Sequence, residues 1–296
     1  MTTRDSLWML VLSAIWGASF ILIKLSGEAF PPAWVALLRL SFGSAVLWIA
    51  LRLTKRSLPP RTMLLPLLAI AALNNVLPFI FIAWGERTIP SNMAAVLNAT
   101  TTLWGLLFGF LLKHDQSEWR TGAGVLIGFA GVALVVSSGH RSGEIIQWTG
   151  VILVAIGSVS YAIATAMAKR KLRGFDPLGL ATAQLSLAVV LTLPFAVLGP
   201  LPAAVTWKPL LAVSVLGALG TGVAYLLYYG LLARISVIQV QAVTYILPVW
   251  GLFWGAIAGE TVGFLSVLGV GVVLAGLTLL RTPARSVPQP VAISQK

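Results

Sequence analysis

Cysteine is absent from the 296-residue chain, so no disulfide, thiolate nucleophile or cysteine-ligated metal site can form. Charge is also scarce: Asp, Glu, Lys and Arg make up 9% of the residues, against roughly 25% in an average soluble domain. A soluble protein of this length needs a charged surface, which so few charged residues cannot provide. The composition therefore excludes an ordinary cytosolic enzyme, a secreted domain and a disordered chain.

Apolar runs are what the chain has in abundance. Hydrophobic residues make up 58% of it, in stretches of about 20 residues, the length at which a helix crosses a bilayer. These stretches do not alternate polar and apolar residues as outer-membrane strands do. We predict an all-α integral membrane protein with ten transmembrane helices, at residues 6–25, 33–53, 63–85, 92–112, 119–137, 147–168, 177–198, 209–233, 237–258 and 262–280.

Acidic residues and histidines are missing from the ten predicted helices. Proton-driven carriers usually relay protons through membrane-embedded carboxylates or imidazoles, and a buried cation needs a negative partner. The sequence therefore disfavours both a cation-binding site and tight proton antiport. It offers no His/Glu metal set and no Ser-His-Asp set at one depth, so we expect no catalytic residue, no metal and no cofactor.

Basic residues collect on one side of the predicted helices. Of the 20 Lys and Arg residues, 15 fall on that side, 4 fall on the other, and Arg39 lies within a helix. The positive-inside rule then places both termini in the cytoplasm. A net charge of +12 would indicate nucleic acid in a soluble protein, but here it follows from orientation, so we expect no nucleic-acid partner.

The chain repeats itself at an offset of 141 to 146 residues; for example, AIWGASF at 14–20 resembles AIGSVSY at 155–161. Each repeat holds five helices, and this odd number turns the second copy upside down in the membrane. Secondary transporters typically have this architecture, with the binding site at the repeat interface near mid-membrane. We predict two inverted five-helix repeats and a disordered cytoplasmic tail, at residues 1–138, 147–281 and 282–296 respectively.

Several segments resemble the two EamA-type domains of the drug/metabolite transporter superfamily. They are WGASF at 16–20, the spacing from Pro32 to Arg39, the Trp-Gly-Leu segments at 104–106 and 250–252, Glu260, and the glycine-rich fifth and tenth helices. The resemblance implies a ten-helix inner-membrane carrier, most often an exporter of amino acids, metabolites or drugs. Within the superfamily, the sequence is similar to aromatic amino-acid exporters of the YddG type.

Arg39 is the clear ionisable residue inside a predicted helix. It lies roughly 10 Å below the non-cytoplasmic end of the second helix, at a rise of about 1.5 Å per residue. Burying a charge is costly, so the residue is either a carboxylate clamp or gate, or a structural group that snorkels or bonds to neighbouring helices. The second repeat carries Gln184 at the related position. Lys24 is close enough to a helix end to snorkel.

Uncharged polar residues and aromatic residues form the other candidates. Pro78 frees the carbonyl of Asn74 from helical bonding, so the Asn74–Asn75 pair either binds the head of a zwitterion or joins helices. Spacing along a helix gives two further polar faces, and aromatic rings lie near mid-helix. We predict that the substrate is bound by Trp16, Phe20, Arg39, Asn74, Asn75, Phe79, Asn98, Thr101, Tyr161, Tyr225, Gln241, Thr244 and Tyr245.

This predicted cavity offers amides, hydroxyls, aromatic walls and one positive charge, but no negative charge. A zwitterion with an apolar body suits it better than a cation does. We predict an inner-membrane secondary transporter that exports amino acids, large neutral or aromatic ones above all, by alternating access and without a proton relay. Its partners are a small-molecule substrate and the bilayer. The alternatives are a channel or scaffold without turnover, an exporter of drugs or other metabolites, and, least favoured, a membrane enzyme.

Overall fold

A computed structural model describes residues 2–111, 119–141, 147–172, 174–232, 234–235 and 237–279. Within these ranges the chain is helical and contains no strand. The tail predicted to be disordered, at 282–296, lies outside the described residues. The described residues therefore agree with the all-helical fold class that the apolar runs predict.

Among the described residues, the first half of the chain contains seven α-helices. The third and fourth are consecutive parts of one longer helical segment, and the fifth and sixth follow each other with one residue between them. The bounds are α1 (Thr3–Ser26), α2 (Pro32–Leu53), α3 (Leu64–Ala71), α4 (Leu77–Gly85), α5 (Ser91–Ala99), α6 (Thr101–Leu111) and α7 (Trp119–Arg141).

The described part of the second half contains six α-helices. The tenth and eleventh again belong to one longer segment. The bounds are α8 (Trp148–Lys171), α9 (Pro177–Val197), α10 (Trp207–Gly217), α11 (Ala224–Leu232), α12 (Val237–Ile257) and α13 (Phe264–Leu279).

Each of the ten predicted segments overlaps a helix or two consecutive helices. Six of the described helical segments are long and apolar enough to cross a membrane: Thr3–Ser26, Pro32–Leu53, Arg61–Gly85, Trp148–Lys171, Pro177–Val197 and Trp207–Leu232. Three shorter apolar helices, at Gly122–Ser138, Val243–Ile257 and Phe264–Thr278, accompany them. The count of ten crossings and the cytoplasmic position of the termini stay predictions.

Two of the long segments are interrupted by a π-helical turn. Ala72–Val76 joins α3 to α4, and Ala218–Val223 joins α10 to α11. The two turns are related by the repeat offset of the sequence. Pro78 lies just after the first turn and has no N–H group to bond the Asn74 carbonyl. Such turns are rare and often occur at functional sites because they redirect side chains.

Glycine allows α7 and α13 to pack backbone to backbone. A Cβ atom on Gly276 would lie 2.6 Å from the Gly128 nitrogen and 2.7 Å from the Gly124 oxygen. A Cβ atom on Gly131 would lie 2.7 Å from the Gly269 oxygen. Since real Cβ atoms do not approach so closely, the glycines set the distance between these two helices, which are the fifth and tenth predicted segments.

Helices α1 and α12 pack side by side. A Cβ on Gly17 would collide with the Cβ of Trp250, so the Trp250 side chain fills the space that this glycine leaves. The indole nitrogen of Trp250 donates to the Ser13 hydroxyl at 2.9 Å, and that of Trp254 donates to the Ala14 carbonyl at 3.2 Å. The first and second halves of the chain are therefore joined at residues 13–17 of α1 and 250–254 of α12.

Candidate functional site

Arg39 on α2 lies inside the helix bundle, with 8% of its surface exposed. Its Nε atom donates a hydrogen bond of 2.9 Å to the Thr221 hydroxyl in the second π-helical turn. Its guanidinium carbon lies 3.7 Å from the centre of the Phe79 ring, which is a cation–π contact. Gly217 on α10 allows α10 to pack closely against α2 at Arg39, because a Cβ on Gly217 would lie 3.2 Å from the Arg39 Cα.

Asn75 in the first π-helical turn joins three helical segments. It is fully buried, and its Nδ2 atom donates to the Tyr225 hydroxyl on α11 at 3.2 Å. Its Oδ1 atom accepts a hydrogen bond of 2.6 Å from Gln184 on α9. The side chain of Asn74 also approaches the Tyr225 hydroxyl. The Asn pair of the sequence therefore faces other polar side chains and not lipid.

The two sets of contacts are related by the repeat. Arg39 and Gln184 are 145 residues apart, and Asn75 and Thr221 are 146 residues apart. Arg39 of the first repeat bonds to Thr221 of the second, while Gln184 of the second bonds to Asn75 of the first. Each bond thus runs from the second helix of one repeat to the π-helical turn of the other. We call Arg39, Asn75, Phe79, Gln184, Thr221 and Tyr225 the central polar cluster.

Aromatic rings surround this cluster. Phe79 is buried in an apolar core against which Tyr161, Tyr225 and Tyr229 pack. The Tyr225 and Tyr229 rings meet edge to face with their centres 6.1 Å apart. Six of the predicted site residues therefore lie in one region between the two halves of the chain: Arg39, Asn74, Asn75, Phe79, Tyr161 and Tyr225.

Trp16 and Phe20 lie in two other cores. The Trp16 ring is 5.8 Å from that of Tyr228, in the core that also contains Leu12. Phe20 is 5% exposed and belongs to the largest apolar core. Apolar packing accounts for both positions in this structure.

The polar face predicted on the fourth segment is partly satisfied by its own backbone. The Thr101 hydroxyl donates to the Asn98 carbonyl at 2.8 Å. The side-chain oxygen of Asn98 is buried and accepts no hydrogen bond from the described residues. Thr244 and Tyr245 on α12 are half-buried, and Tyr245 packs against the core that contains Phe20. Gln241 also belongs to α12, but its side chain lies outside the described part of the structure.

Sequence reasoning missed two members of the central polar cluster, Gln184 and Thr221. Gln184 entered only as the residue that replaces Arg39 in the second repeat, and Thr221 did not enter at all. The repeat offset carried the signal for both, because it pairs Asn75 with Thr221 just as it pairs Arg39 with Gln184. The sequence does not specify the two π-helical turns, in which Asn75 and Thr221 lie.

Ion pairs hold both ends of α1. Arg234 approaches Asp5 at 3.5 Å near the start of the helix, and Lys24 bonds to Glu260 at 2.7 Å near its end. Glu260 also accepts hydrogen bonds from the backbone N–H groups of Ser91 and Asn92, at 2.8 and 3.0 Å. Burial alone would raise the pKa of Glu260, but the bonds from Lys24 and the two amides outweigh it and hold the pKa below its ordinary value. Glu260 therefore caps α5 as a carboxylate.

An all-helical bundle with apolar segments of membrane-spanning length and a repeat-related polar cluster defines a multi-pass membrane protein of the transporter class. The sequence profile of the EamA-like transporter family matches the chain twice, at residues 4–137 and 148–282. The chain belongs to this family, which confirms the resemblance found in the sequence. It is a multi-pass protein of the inner membrane and a transporter.

The similarity to curated relatives extends over almost the whole chain. The uncharacterized inner membrane transporter YedA of Escherichia coli (strain K12) is 30% identical over 296 residues, covering 96% of this chain and 94% of the relative. A protein of Streptantibioticus cattleyicolor named "Probable terminal-alkyne amino-acid exporter" is 26% identical and covers 95% of this chain and 94% of the relative. A solved crystal structure with 18% identity and a TM-score of 0.70 covers 94% of this chain and 96% of that one, and shows the fold alone.

Proposed function

We propose that the protein exports amino acids or similar small zwitterionic metabolites, large neutral and aromatic ones above all, by alternating access of two inverted five-helix repeats. The main support for this proposal is the central polar cluster. It lies where the two halves of the chain meet, and each of its repeat-related bonds joins one half to the other. A substrate that replaced these bonds would act on both halves at once.

The chemistry of the cluster suits a zwitterion with an apolar side chain. Arg39 can pair with a carboxylate, and the amides of Asn75 and Gln184 can bond to either end of an amino acid. Phe79 and the neighbouring tyrosines offer rings on which an apolar body can stack. None of the six residues of the cluster is acidic, so an organic cation would enter it without compensation.

The exporter of amino acids among the relatives supports the same substrate class. Its 26% identity extends over the length of both proteins, but the residues that choose among substrates vary more readily than the fold. The proposal for aromatic and large neutral amino acids therefore depends on the cluster and not on that name.

Counterflow in proteoliposomes tests the proposal. Vesicles preloaded with unlabelled phenylalanine should take up labelled phenylalanine without an imposed pH or sodium gradient, and the uptake should saturate and discriminate between stereoisomers. The Arg39→Gln variant should lose this exchange, while Arg52→Gln, which removes an exposed cation from the same helix, should retain it.

Three outcomes contradict the proposal. Selective transport of organic cations would assign the protein to drug export. Uptake that requires a proton or sodium gradient would contradict export without a proton relay or another coupling ion. Flux that neither saturates nor shows counterflow would indicate a channel.

A further inference from the structure

Glu86 is a buried acidic residue that does not belong to the central polar cluster. It follows α4, and 5% of its surface is exposed. Neither of its side-chain oxygens accepts a hydrogen bond from any described residue. A carboxylate left buried without a partner costs several kcal/mol, so the group is far more stable in this environment as the neutral acid.

Charged groups surround Glu86 from several parts of the chain. Lys24 of α1 is bonded to Glu260 in this structure, so its ammonium group is already neutralised. Burial, and then the nearby carboxylate of Glu260, raise the pKa of the Glu86 carboxyl well above its ordinary value, against Lys24 and Arg39. The charged groups that face Glu86 from the neighbouring elements or line its pockets are Lys24, Glu28, Arg39, Arg87 and Glu260.

Two pockets meet at Glu86. One has a volume of about 350 Å³ and extends toward Pro90 and Gln147, and the other has a volume of about 290 Å³ and extends toward Ile23 and Ala83. Three residues line both pockets: Lys24, Glu86 and Arg87.

We propose that Glu86 is a proton-binding site that competes with Glu260 for the ammonium group of Lys24. In this proposal Glu86 is protonated in the arrangement that the structure shows, where Lys24 bonds to Glu260. When the O–H bond of Glu86 breaks, the proton passes to water in the adjoining pockets, and the new carboxylate attracts Lys24 away from Glu260. The return of Lys24 to Glu260 is accompanied by uptake of a proton from the same water.

This exchange moves a proton out and back on one face of the molecule, so it transfers no net proton across the membrane. It is therefore compatible with transport that needs no proton gradient, and it does not depend on what is transported. Because Lys24 lines both pockets, its movement should widen them and give water more access to the buried residues in their walls. Ala83, one turn before Glu86 and 6% exposed, is such a residue.

Thiol labelling tests the exchange, since the native chain contains no cysteine. Ala83→Cys in nanodiscs is treated with a charged methanethiosulfonate between pH 6 and 8. Its labelling rate is divided by that of Ala204→Cys, an exposed position that corrects for thiol ionisation. The corrected rate should rise with pH, by up to about tenfold per unit, as expected for one titrating group. Adding Glu86→Gln should abolish this rise, and adding Glu28→Gln, in the same pocket, should preserve it.

Infrared spectroscopy supplies a readout that needs neither labelling nor transport. The native protein at neutral pH should show the C=O band of a protonated carboxyl group, and Glu86→Gln should lack it. Glu86→Asp, which keeps an ionisable group, serves if the glutamine variant fails to fold, and it should retain both the band and the labelling rise. A labelling profile that Glu86→Gln leaves unchanged, or the absence of the carboxyl band from the native protein, overturns the proposal.

Discussion

Inside the bundle, Arg39 bonds to a threonine hydroxyl and contacts an aromatic ring, and among the described residues it forms no ion pair with an acid. Its charge is therefore available to a carboxylate in a way that a salt-bridged arginine would not be. We expect Arg39→Gln to fold, because the second repeat already accommodates Gln184 at the related position. A hydrogen bond to a charged group is worth about 1.5–3 kcal/mol, so the KM for phenylalanine should rise by at least about tenfold.

Thermal unfolding of the purified variant, followed alongside counterflow, separates the two roles of Arg39. A variant that unfolds near the native temperature but loses transport assigns the charge to substrate or gating. A variant that loses folded protein in proportion to its activity assigns the charge to the structure.

Asn75, an uncharged residue, also acts either in transport or in the structure. Ser44 serves as its matched control. Ser44 lies 3.2 Å from the Ser186 hydroxyl, in a bond that joins α2 to α9 outside the central polar cluster. Interhelical hydrogen bonds in membranes are worth on average about 0.6 kcal/mol each, so Asn75→Ala and Ser44→Ala should lower stability only slightly. Transport should fall in Asn75→Ala alone, and an equal fall in both would make Asn75 a packing residue.

For individual residues, the sequence indicated the polar and aromatic chemistry of the candidate site but only some of the residues that form it. Arg39, Asn75 and Tyr225 were accessible because polar groups within apolar runs stand out. Glu86 was not, because it falls at the end of a predicted helix, where an acid is ordinarily solvated. Its burial depends on how α1, α2 and α4 meet, and hydropathy along one helix contains no such information.

Helix packing depends on which glycines lie at an interface, and Gly276 and Gly271 on α13 make a matched pair. A Cβ on Gly276 would collide with the backbone of α7, whereas a Cβ on Gly271 meets nothing within 4 Å. Gly276→Ala should therefore destabilise the protein by about 1–3 kcal/mol. Gly271→Ala should be neutral or stabilise it by up to about 1 kcal/mol, because alanine is the better helix former. Thermal unfolding of the two variants measures the difference, and equal effects would contradict this packing.

Glu260 connects the end of α1 to the start of α5, and its lowered pKa makes that connection dependent on pH. A group whose pKa is lower when folded stabilises the fold above its unfolded pKa, and this contribution disappears as pH falls through the folded value. The ordinary pKa here is 4.5. At neutral pH, Glu260→Gln should lower the unfolding temperature by a few degrees, corresponding to about 1 kcal/mol for a half-exposed pair.

The difference between the native protein and Glu260→Gln should shrink progressively as pH falls below 4.5. Unfolding curves between pH 3.5 and 7.5 test this, with Glu28→Gln as an exposed acidic control. A difference that persists unchanged at the acid end would mean that capping of α5 does not require the carboxylate.

The helical segments could be predicted closely because bilayer thickness fixes their length and because proline, glycine and charge mark their ends. The two π-helical turns could not: Pro78 predicts a freed carbonyl at Asn74, but it does not specify the type of turn, and 218–223 contains no proline. They arise where polar side chains turn toward the other half of the chain, so they depend on contacts between residues more than 100 positions apart. The pairing of each second helix with the opposite turn follows from the three-dimensional arrangement alone.

For the whole molecule, the 15-to-4 distribution of basic residues and the five-helix repeat make a single prediction about orientation. If both termini are cytoplasmic, cysteines introduced at 140 and 207 should react with an impermeant reagent from outside intact cells. Cysteines at 56 and 172 should react only after the membrane is opened. Trp207 is 69% exposed and Arg56 is exposed, so neither position should be shielded by the protein itself. The reverse pattern would overturn the topology and the inverted repeat together, because an odd number of crossings per repeat ties one to the other.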